Sequence, residues 1–294
     1  MYRYTTISFP SLGIEIDPIR EFSIGPLDIH LYGVIIACGL ILAAVYGMRR
    51  APQFGLTEDH IIDGVLWVTP FAILCARAYY CVFSWDMYAD NPISVLYIWE
   101  GGLAIYGGVL GAIVGIIVYC RVKHISLGAT LAIVALGFLI GQSIGRWGNF
   151  FNREAFGAET ASFLRMGLYN TATGVTVYHH PTFLYESAWN AVGFLALHFL
   201  SKRRKYDGEI ALGYAAWYGL GRFWIEGLRT DSLYIPGTAI RVSQLLALIS
   251  FCAAGIALVY QRMRPHDSAK LFVNQCKTQS IEIKEEEQGG TEHE

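Results

Sequence analysis

A short run near the middle of the chain holds the side chains best suited to bind an anion. Between Gly145 and Gly157 it supplies two cations, two amides and a carboxylate, which are Arg146, Arg153, Asn149, Asn152 and Glu154. A guanidinium donates two parallel hydrogen bonds and so matches a phosphate group, and glycines let a backbone approach a ligand closely. The alternative is that Arg146 only extends its charged end to the membrane surface.

A second candidate is a polar stripe within an otherwise apolar segment. Four side chains recur at every fourth residue and therefore share one helix face: Tyr214, Tyr218, Arg222 and Glu226. An arginine inside a membrane helix costs roughly 3 kcal/mol on insertion scales, so its presence suggests a function. A plain ion pair between Arg222 and Glu226 would explain the same spacing, and the stripe alone leaves both explanations open.

Other polar groups accompany these two candidates. Tyr32 lies at the start of the first apolar run, and Arg77 in the second could join an anion site or pair internally. His179 and His180 precede Glu186, but adjacent histidines point in different directions on a helix, and no third ligand follows at a suitable spacing. We therefore expect neither a metal nor another cofactor.

The elements that position these groups are predicted to be membrane helices. Only 16% of the 294 residues are charged and 54% are hydrophobic, whereas soluble domains carry about 25% charged residues. The mean hydropathy is +0.38, and no basic block suggests nucleic acid. A bilayer crossing takes about 20 apolar residues. Seven stretches qualify, near Ile29–Met48, Ile61–Phe83, Gly101–Cys120, Leu127–Trp147, Thr182–Ser201, Glu209–Leu228 and Ala239–Tyr260.

Basic residues follow every second predicted span. They are Arg49 and Arg50, Arg121 and Lys123, Lys202 to Lys205, and Arg262 and Arg264. This pattern indicates an outside N-terminus, a cytoplasmic C-terminus and an odd number of spans. Arg222, Arg229 and Arg241 then fall outside, against the usual charge bias. Their position favours a phosphate site on the extracytoplasmic side.

The remaining segments indicate one domain and a tail. We expect an all-α fold, with a seven-helix transmembrane catalytic domain at residues 1–265, and a disordered cytoplasmic tail at residues 266–294. A small extracytoplasmic cap is predicted at Asn149–Pro181. Glycine at every fourth residue in spans three and four allows close helix packing, which would bring Tyr106 and Arg146 to similar depths.

Several motifs, in the same order along the chain, resemble the bacterial prolipoprotein diacylglyceryl transferases. The similarity begins with the run Phe22–Gly33 and continues through Gly145–Gly157, which looks like the family signature. His180–Glu186 and Tyr218–Glu226 resemble the later blocks of that family. Agreement among several independent motifs is more specific than any one of them.

The resemblance implies a reaction in the bacterial cytoplasmic membrane. A diacylglyceryl group would pass from phosphatidylglycerol to the lipobox cysteine of a prolipoprotein signal peptide, giving a thioether and glycerol phosphate. Arg146 would hold the lipid phosphate and Arg222 would stabilise the leaving group. Tyr218 and Glu226 would position Arg222. The other substrate-binding residues implied by the match are Tyr32, Asn149, Asn152 and Gly157, and Glu154 completes the signature.

One departure concerns the general base. Many members of the family carry His-Gly-Gly where this chain has Tyr106-Gly107-Gly108. A phenol is a poor base at neutral pH, so the base is expected to be Glu226 or Glu154, unless the cationic pocket alone activates the thiol. We expect the Tyr106 hydroxyl to orient the substrate.

Two other classes of protein would use similar residues. An anion transporter or channel could place arginines within the membrane, but the chain has no inverted repeat to support that reading. A seven-helix receptor fits poorly with charges spread over four spans. Transfer of lipid to a lipobox peptide would distinguish the enzyme from both.

Overall fold

The computed structural model describes residues 4–25, 27–230, 232–235, 237–238 and 240–290. A helix lies at each of the seven positions where an apolar stretch predicts a span, although Ala239, the predicted start of the last, lies outside the described residues. The helices are α1 (Leu31–Arg50), α2 (Glu58–Phe83), α3 (Ile105–Val122), α4 (Leu127–Asn152), α5 (Thr182–Ser201), α6 (Glu209–Glu226), α7 (Val242–Met263) and α8 (Phe272–Gly290).

Five of these helices are long and apolar enough to cross a membrane, judged by length and composition. They are α1 with the turn that follows it, α2, α3, α4 and α7. Helices α5 and α6 are not among them, because polar and charged residues lower their hydropathy, including Glu186 and Arg222. The chain is therefore a polytopic membrane protein with at least these five candidate spans.

The expectation of an all-α fold needs correction, because the structure also contains two small antiparallel sheets. The first has the strand order β2-β1-β5-β6, and the second pairs β3 with β4. The strands are β1 (Tyr4–Phe9), β2 (Ile14–Ile16), β3 (Glu21–Ile24), β4 (Leu27–His30), β5 (Met166–Asn170) and β6 (Val175–His179). Three consecutive β-branched residues in β6, Val175 to Val177, and a Gly174 turn favour the β5–β6 hairpin.

One small apolar core joins the four-stranded sheet to the ends of two helices. Ile7 and Leu168 of the sheet are fully buried there, next to Phe150 near the end of α4 and Phe183 at the start of α5. Arg153, directly after α4, has a left-handed backbone with φ of 55°. It donates hydrogen bonds to chain segments near the N-terminus and to α4, at Thr5 O, Pro18 O and Phe151 O, and pairs with Asp17. These contacts fix the end of α4.

The described chain divides into two compact units. One contains residues 4–45 and 134–267, and the other contains residues 46–133 and 268–290. The second unit includes α8 in the region predicted to be a disordered tail. Its first turn packs on the turn after α1, where a Cβ on Gly55 would lie 2.8 Å from the Val273 Cα. The apolar pair Phe272 and Val273 gives this part of the tail a surface to pack on.

Each glycine stripe packs on a different helix within its own unit. In α4, the stripe faces α1, where a Cβ on Gly145 would lie 3.0 Å from Ile36. In α3, the stripe faces α2, where a Cβ on Gly107 would lie 2.5 Å from the Cys75 carbonyl oxygen. The spacing therefore predicted close packing correctly. The expectation that close packing of spans three and four brings Tyr106 and Arg146 to similar depths gains no support from these contacts.

Candidate functional site

A buried carboxylate on α5 gathers arginines from three parts of the chain. Glu186 is 5% exposed. Its oxygens lie 2.6 Å from Arg146 Nη2 on α4, 3.3 Å from Arg222 Nη1 on α6 and 3.6 Å from Arg229 Nη1 after α6. We call Arg146, Glu186, Arg222, Glu226 and Arg229 the arginine cluster. Three of the arginines that favoured a phosphate site in the sequence are thus joined by one carboxylate, whereas Arg153 pairs with Asp17 instead.

A second carboxylate holds Arg222 from its other side. Glu226 Oε2 lies 2.6 Å from Arg222 Nη2, one helical turn away. The Ser243 hydroxyl donates to Glu226 Oε1 at 2.6 Å, and Arg241 donates to the Glu226 backbone carbonyl. The intrahelical ion pair considered for the sequence therefore exists, but Arg222 also bridges to α5 through Glu186.

The accessible part of the cluster is cationic. The Arg146 and Arg222 side chains remain 22% and 19% exposed, whereas those of Glu186 and Glu226 are 6% and 2% exposed. A ligand approaching this site would meet guanidinium groups before carboxylates. Such a surface suits an anion that accepts several hydrogen bonds.

The end of α4 adds amides and a second carboxylate near Arg146 in sequence. The Asn152 amide donates to Glu154 Oε1 at 3.2 Å, and the Glu154 backbone N–H donates to the Asn149 carbonyl at 3.0 Å. Glu154 is exposed. The two asparagines and Glu154 therefore form a short, hydrogen-bonded turn that leaves the carboxylate accessible.

Gly157 has a packing role in this segment. A Cβ at Gly157 would lie 2.8 Å from the His180 Cβ and 2.8 Å from the Leu228 carbonyl oxygen. The Gly157 N–H donates to the His180 carbonyl at 2.9 Å, and Ala158 donates to the Leu228 carbonyl. Only glycine fits between these two chain segments. These contacts fix the position of Leu228 and therefore of the segment that carries Arg229 of the cluster.

Two tyrosines predicted to bind substrate lie in the same unit as the cluster. The Tyr32 ring packs on α4, where a Cβ on Gly148 would come within 2.5 Å of it. Tyr218 lines a narrow cleft beside Arg222 and stacks on Tyr214, whose hydroxyl accepts a hydrogen bond from Gln142 at 2.9 Å.

Tyr106 belongs to the other unit. It lies in the first turn of α3, and half of its surface is exposed. Arg77 orders the loop before it by donating to the Gly101 carbonyl at 2.7 Å and to the Ser94 carbonyl at 2.7 Å. Arg77 is 5% exposed and lies over the Tyr88 ring. Of the two readings of Arg77, the structure supports internal pairing.

The two histidines before α5 have separate partners. His179 Nδ1 lies 3.0 Å from the Gly157 carbonyl oxygen, and His180 Nδ1 lies 3.4 Å from the Tyr185 hydroxyl. Burial lowers the pKa of His179, which favours its neutral form. Across the described ranges, no three His, Cys, Asp or Glu side chains are close enough to hold a metal.

Sequence reasoning assigned no role in the site to Glu186 or Ser243, and it used Arg229 only as one of the extracytoplasmic arginines that favour a phosphate site. The sequence signal that could have identified Glu186 is an acidic residue within an apolar helix. Inside a membrane such a residue needs a partner. Arg229 lies beyond the end of α6 and reaches the cluster only through the turn at Gly157. Ser243 carries no signal in the sequence, because a serine at a helix start is common.

Known proteins resemble this chain over most of its length. The family model for prolipoprotein diacylglyceryl transferase matches residues 20–260. A phosphatidylglycerol–prolipoprotein diacylglyceryl transferase of Lysinibacillus sphaericus is 41% identical over 271 residues, which cover 89% of this chain and 98% of that protein. Proteins of the same name from Limosilactobacillus reuteri and Enterococcus faecalis are 44% and 43% identical, covering 84% and 83% of this chain and 92% and 91% of theirs.

Proposed function

Because the chain belongs to the prolipoprotein diacylglyceryl transferase family, we propose that the arginine cluster is the site of that family's reaction. The protein is a transferase that moves the sn-1,2-diacylglyceryl group of phosphatidylglycerol to a prolipoprotein cysteine, forming a thioether and releasing glycerol phosphate. This is the first step of lipoprotein maturation. The observation that carries the assignment of the site is the joining of Arg146, Arg222 and Arg229 by the buried Glu186.

The main electrostatic requirement of the reaction is to stabilise negative charge on the leaving group. The cysteine sulfur attacks the glycerol carbon that carries the phosphate, a carbon–sulfur bond forms, and the carbon–oxygen bond to phosphate breaks. The oxygen keeps the electron pair, so negative charge grows on glycerol phosphate. Preorganised donors aimed at that charge lower the barrier. Arg146 and Arg222 supply them, because their guanidinium groups are the exposed part of the cluster.

The carboxylates have different roles in this proposal. Glu226 is engaged by Arg222 and Ser243 and is almost fully buried, so it positions Arg222. Glu154 is exposed and accepts a hydrogen bond from Asn152, which leaves an oxygen to take the thiol proton. Asn149, Asn152 and Tyr32 would contact the lipid headgroup. Gly157 would contribute by keeping the turn closed, and the Tyr106 hydroxyl by orienting substrate.

We also propose that α5 and α6 cross the membrane, which gives seven spans. Their charged side chains are partnered across the helix pair, as Glu186 and Arg222 are, and such pairing makes charges tolerable in a membrane. The basic connections support an outside N-terminus and a cytoplasmic C-terminus. The site then opens toward the extracytoplasmic leaflet of the bacterial cytoplasmic membrane, where prolipoprotein signal peptides with a lipobox cysteine are the acceptor. Residues 1–265 would act as one catalytic domain.

A direct assay tests this function. The purified protein is incubated with phosphatidylglycerol and a lipobox peptide, and the peptide mass is measured. We expect a mass gain equal to one diacylglyceryl group on the cysteine and no gain on a Cys→Ser peptide. Glu154→Gln should slow transfer most at low pH, where less thiolate is present. The proposal would be overturned if the peptide stayed unmodified while related enzymes modified it under the same conditions.

A further inference from the structure

Two polar side chains beside the arginine cluster lack hydrogen-bond partners. Asn190 on α5 is 3% exposed, yet within the described part of the chain no group bonds to its amide. The Tyr218 hydroxyl on α6 is likewise unpartnered among the described residues. Both side chains line the narrow cleft that also contains Glu186 and Arg222. A buried amide almost always has a partner, so Asn190 points to a missing one. Tyr218 is partly buried and faces the same cleft.

Asn190 and Tyr218 each lie one helical turn from the ion pairs of the cluster. Helices α5 and α6 run in opposite directions, because Glu186 meets Arg222 while Trp189 meets Trp217 farther along. Asn190 follows Glu186 by four residues and Tyr218 precedes Arg222 by four, so both lie on the same side of the ion pairs. One turn corresponds to about 5.4 Å along the helix. In the proposed topology that direction leads toward the middle of the bilayer.

A pair of tryptophans packs between α5 and α6 beside the cleft. Trp189 and Trp217 stack with ring centroids 4.4 Å apart, and each indole N–H donates to the backbone carbonyl of the other residue at 3.0 Å. Gly193 and Gly221 make room for the two rings, because a Cβ on either would lie 2.2 Å from an indole nitrogen. The helix spacing is therefore set by this pair, and the two polar groups stay exposed to the cleft.

We propose that Asn190 and Tyr218 bind an ester carbonyl of the diacylglyceryl group. This inference rests on the proposed function, which puts the lipid phosphate at Arg146 and Arg222. In a phosphoglyceride the ester groups are the next polar groups below the phosphate, separated from it by the glycerol carbons. An amide N–H and a phenol O–H are both donors, and an ester carbonyl is an acceptor.

The subsite would give the enzyme specificity for ester-linked lipids. A bound carbonyl fixes the glycerol backbone, so the carbon attacked by sulfur is held beside the arginines. A dialkyl ether lipid has the same phosphate and the same chain shape but lacks the carbonyl. It would leave the Asn190 amide unpaired in the complex, and an unpaired buried group lowers affinity.

The test compares two lipids on the same protein. Diester and dialkyl-ether phosphatidylglycerol of equal chain length are assayed for transfer to a lipobox peptide with the wild type, Asn190→Leu and Tyr218→Phe. We expect the wild type to prefer the diester by about tenfold in kcat/KM, the effect of one buried hydrogen bond. The preference should fall toward one in Asn190→Leu and decrease in Tyr218→Phe. Because each ratio comes from one preparation, poor folding cancels.

A matched control is Gln142→Leu, which removes a buried polar group bonded to Tyr214, outside the cleft lining. It should keep the wild-type ratio. An equal ratio in the wild type and Asn190→Leu would overturn the subsite, and it is the result expected if Asn190 only holds a structural water. No transfer at all from diester phosphatidylglycerol by the wild type would instead refute the proposed function.

Discussion

Arg222 contacts two carboxylates with the two ends of one guanidinium. Nη1 lies 3.3 Å from Glu186 and Nη2 lies 2.6 Å from Glu226. A lysine carries a single ammonium and cannot reproduce this fork. We expect Arg222→Lys to lower kcat/KM by about 100-fold or more, the usual cost of losing a donor that stabilises transition-state charge. Transfer to a lipobox peptide at matched protein levels measures it.

Arg203→Lys provides the control for that substitution. Arg203 is exposed after α5, away from the cluster in sequence, and should tolerate the change. If Arg222→Lys keeps full activity with normal amounts of folded protein, Arg222 acts only as a counter-charge for Glu186 and Glu226. The proposed contact with the leaving group would then be wrong.

Tyr106 is the position where the chain leaves the commoner family pattern. Its side chain is half exposed at the start of α3, which suits a hydroxyl that orients substrate. Losing one neutral hydrogen bond should lower turnover roughly two- to tenfold in Tyr106→Phe. Tyr106→His should retain activity. Complete loss of transfer in Tyr106→Phe, with lipid binding intact, would assign proton transfer to the phenol.

At the scale of helices, the contact between α5 and α6 depends on two glycines. A Cβ on Gly193 would lie 2.2 Å from the Trp217 indole nitrogen, so the ring must move. We expect Gly193→Ala to lower the melting temperature in detergent by roughly 5 °C, a typical cost of overpacking. It should also lower transfer, because the same helices carry Glu186 and Arg222.

Gly255→Ala is the matched control. It lies in α7 with no atom within 4 Å of a Cβ at that site, so alanine should leave stability equal or slightly higher. Adding Trp217→Phe to Gly193→Ala should restore part of the lost stability by making room. Equal melting of Gly193→Ala and the wild type would mean that the indole pair does not set the helix spacing.

The sequence predicted the positions of α1 to α7 but neither α8 nor the two sheets. An apolar run of membrane length is detected by averaging hydropathy along the sequence. In contrast, β2 has three residues and pairs only with β1. The partner of β1 on its other side, β5, is distant in the chain. The hydrophobic periodicity of a sequence carries no information on pairing between distant strands. The sequence therefore did not predict that Ile7 and Leu168 share one core.

The sequence identified several charges of the candidate site but not the contacts between them. Arg146, Arg222 and Glu226 were identified because a charged side chain in a membrane helix is costly and so suggests a function. Which carboxylate would meet which arginine depends on the packing of α4 against α5 and α6. Because this packing cannot be read from the sequence, the sequence analysis gave Glu186 no role. The glycine stripes likewise predicted close packing without naming the partner helix.

At the scale of the whole molecule, the proposed topology can be tested by labelling. The six native cysteines, two of them exposed, are first replaced, and single cysteines are introduced at Pro92, Thr171 and Lys205. A membrane-impermeant thiol reagent applied to intact cells should label the first two and not the third. The basis is the basic residues around Lys205.

Permeabilised cells provide the control, because Lys205→Cys should label once the membrane is opened. Labelling of Lys205→Cys in intact cells would overturn the seven-span arrangement. Absence of label at Thr171→Cys in intact cells, with label after permeabilisation, would put the cap on the cytoplasmic side and the arginine cluster with it.

The pairing of β1 with β5 imposes an order on biogenesis. Ile7 lies opposite Leu168 and Ser8 opposite Gly167. Strand β1 can pair with β2 at once, but α1 to α4 must be synthesised before β5, its neighbour on the other side, exists. During that interval Ile7 and Phe9 have no core to enter. An insertion factor or chaperone that shields this strand would therefore matter more for this chain than for a bundle with only sequential helix contacts.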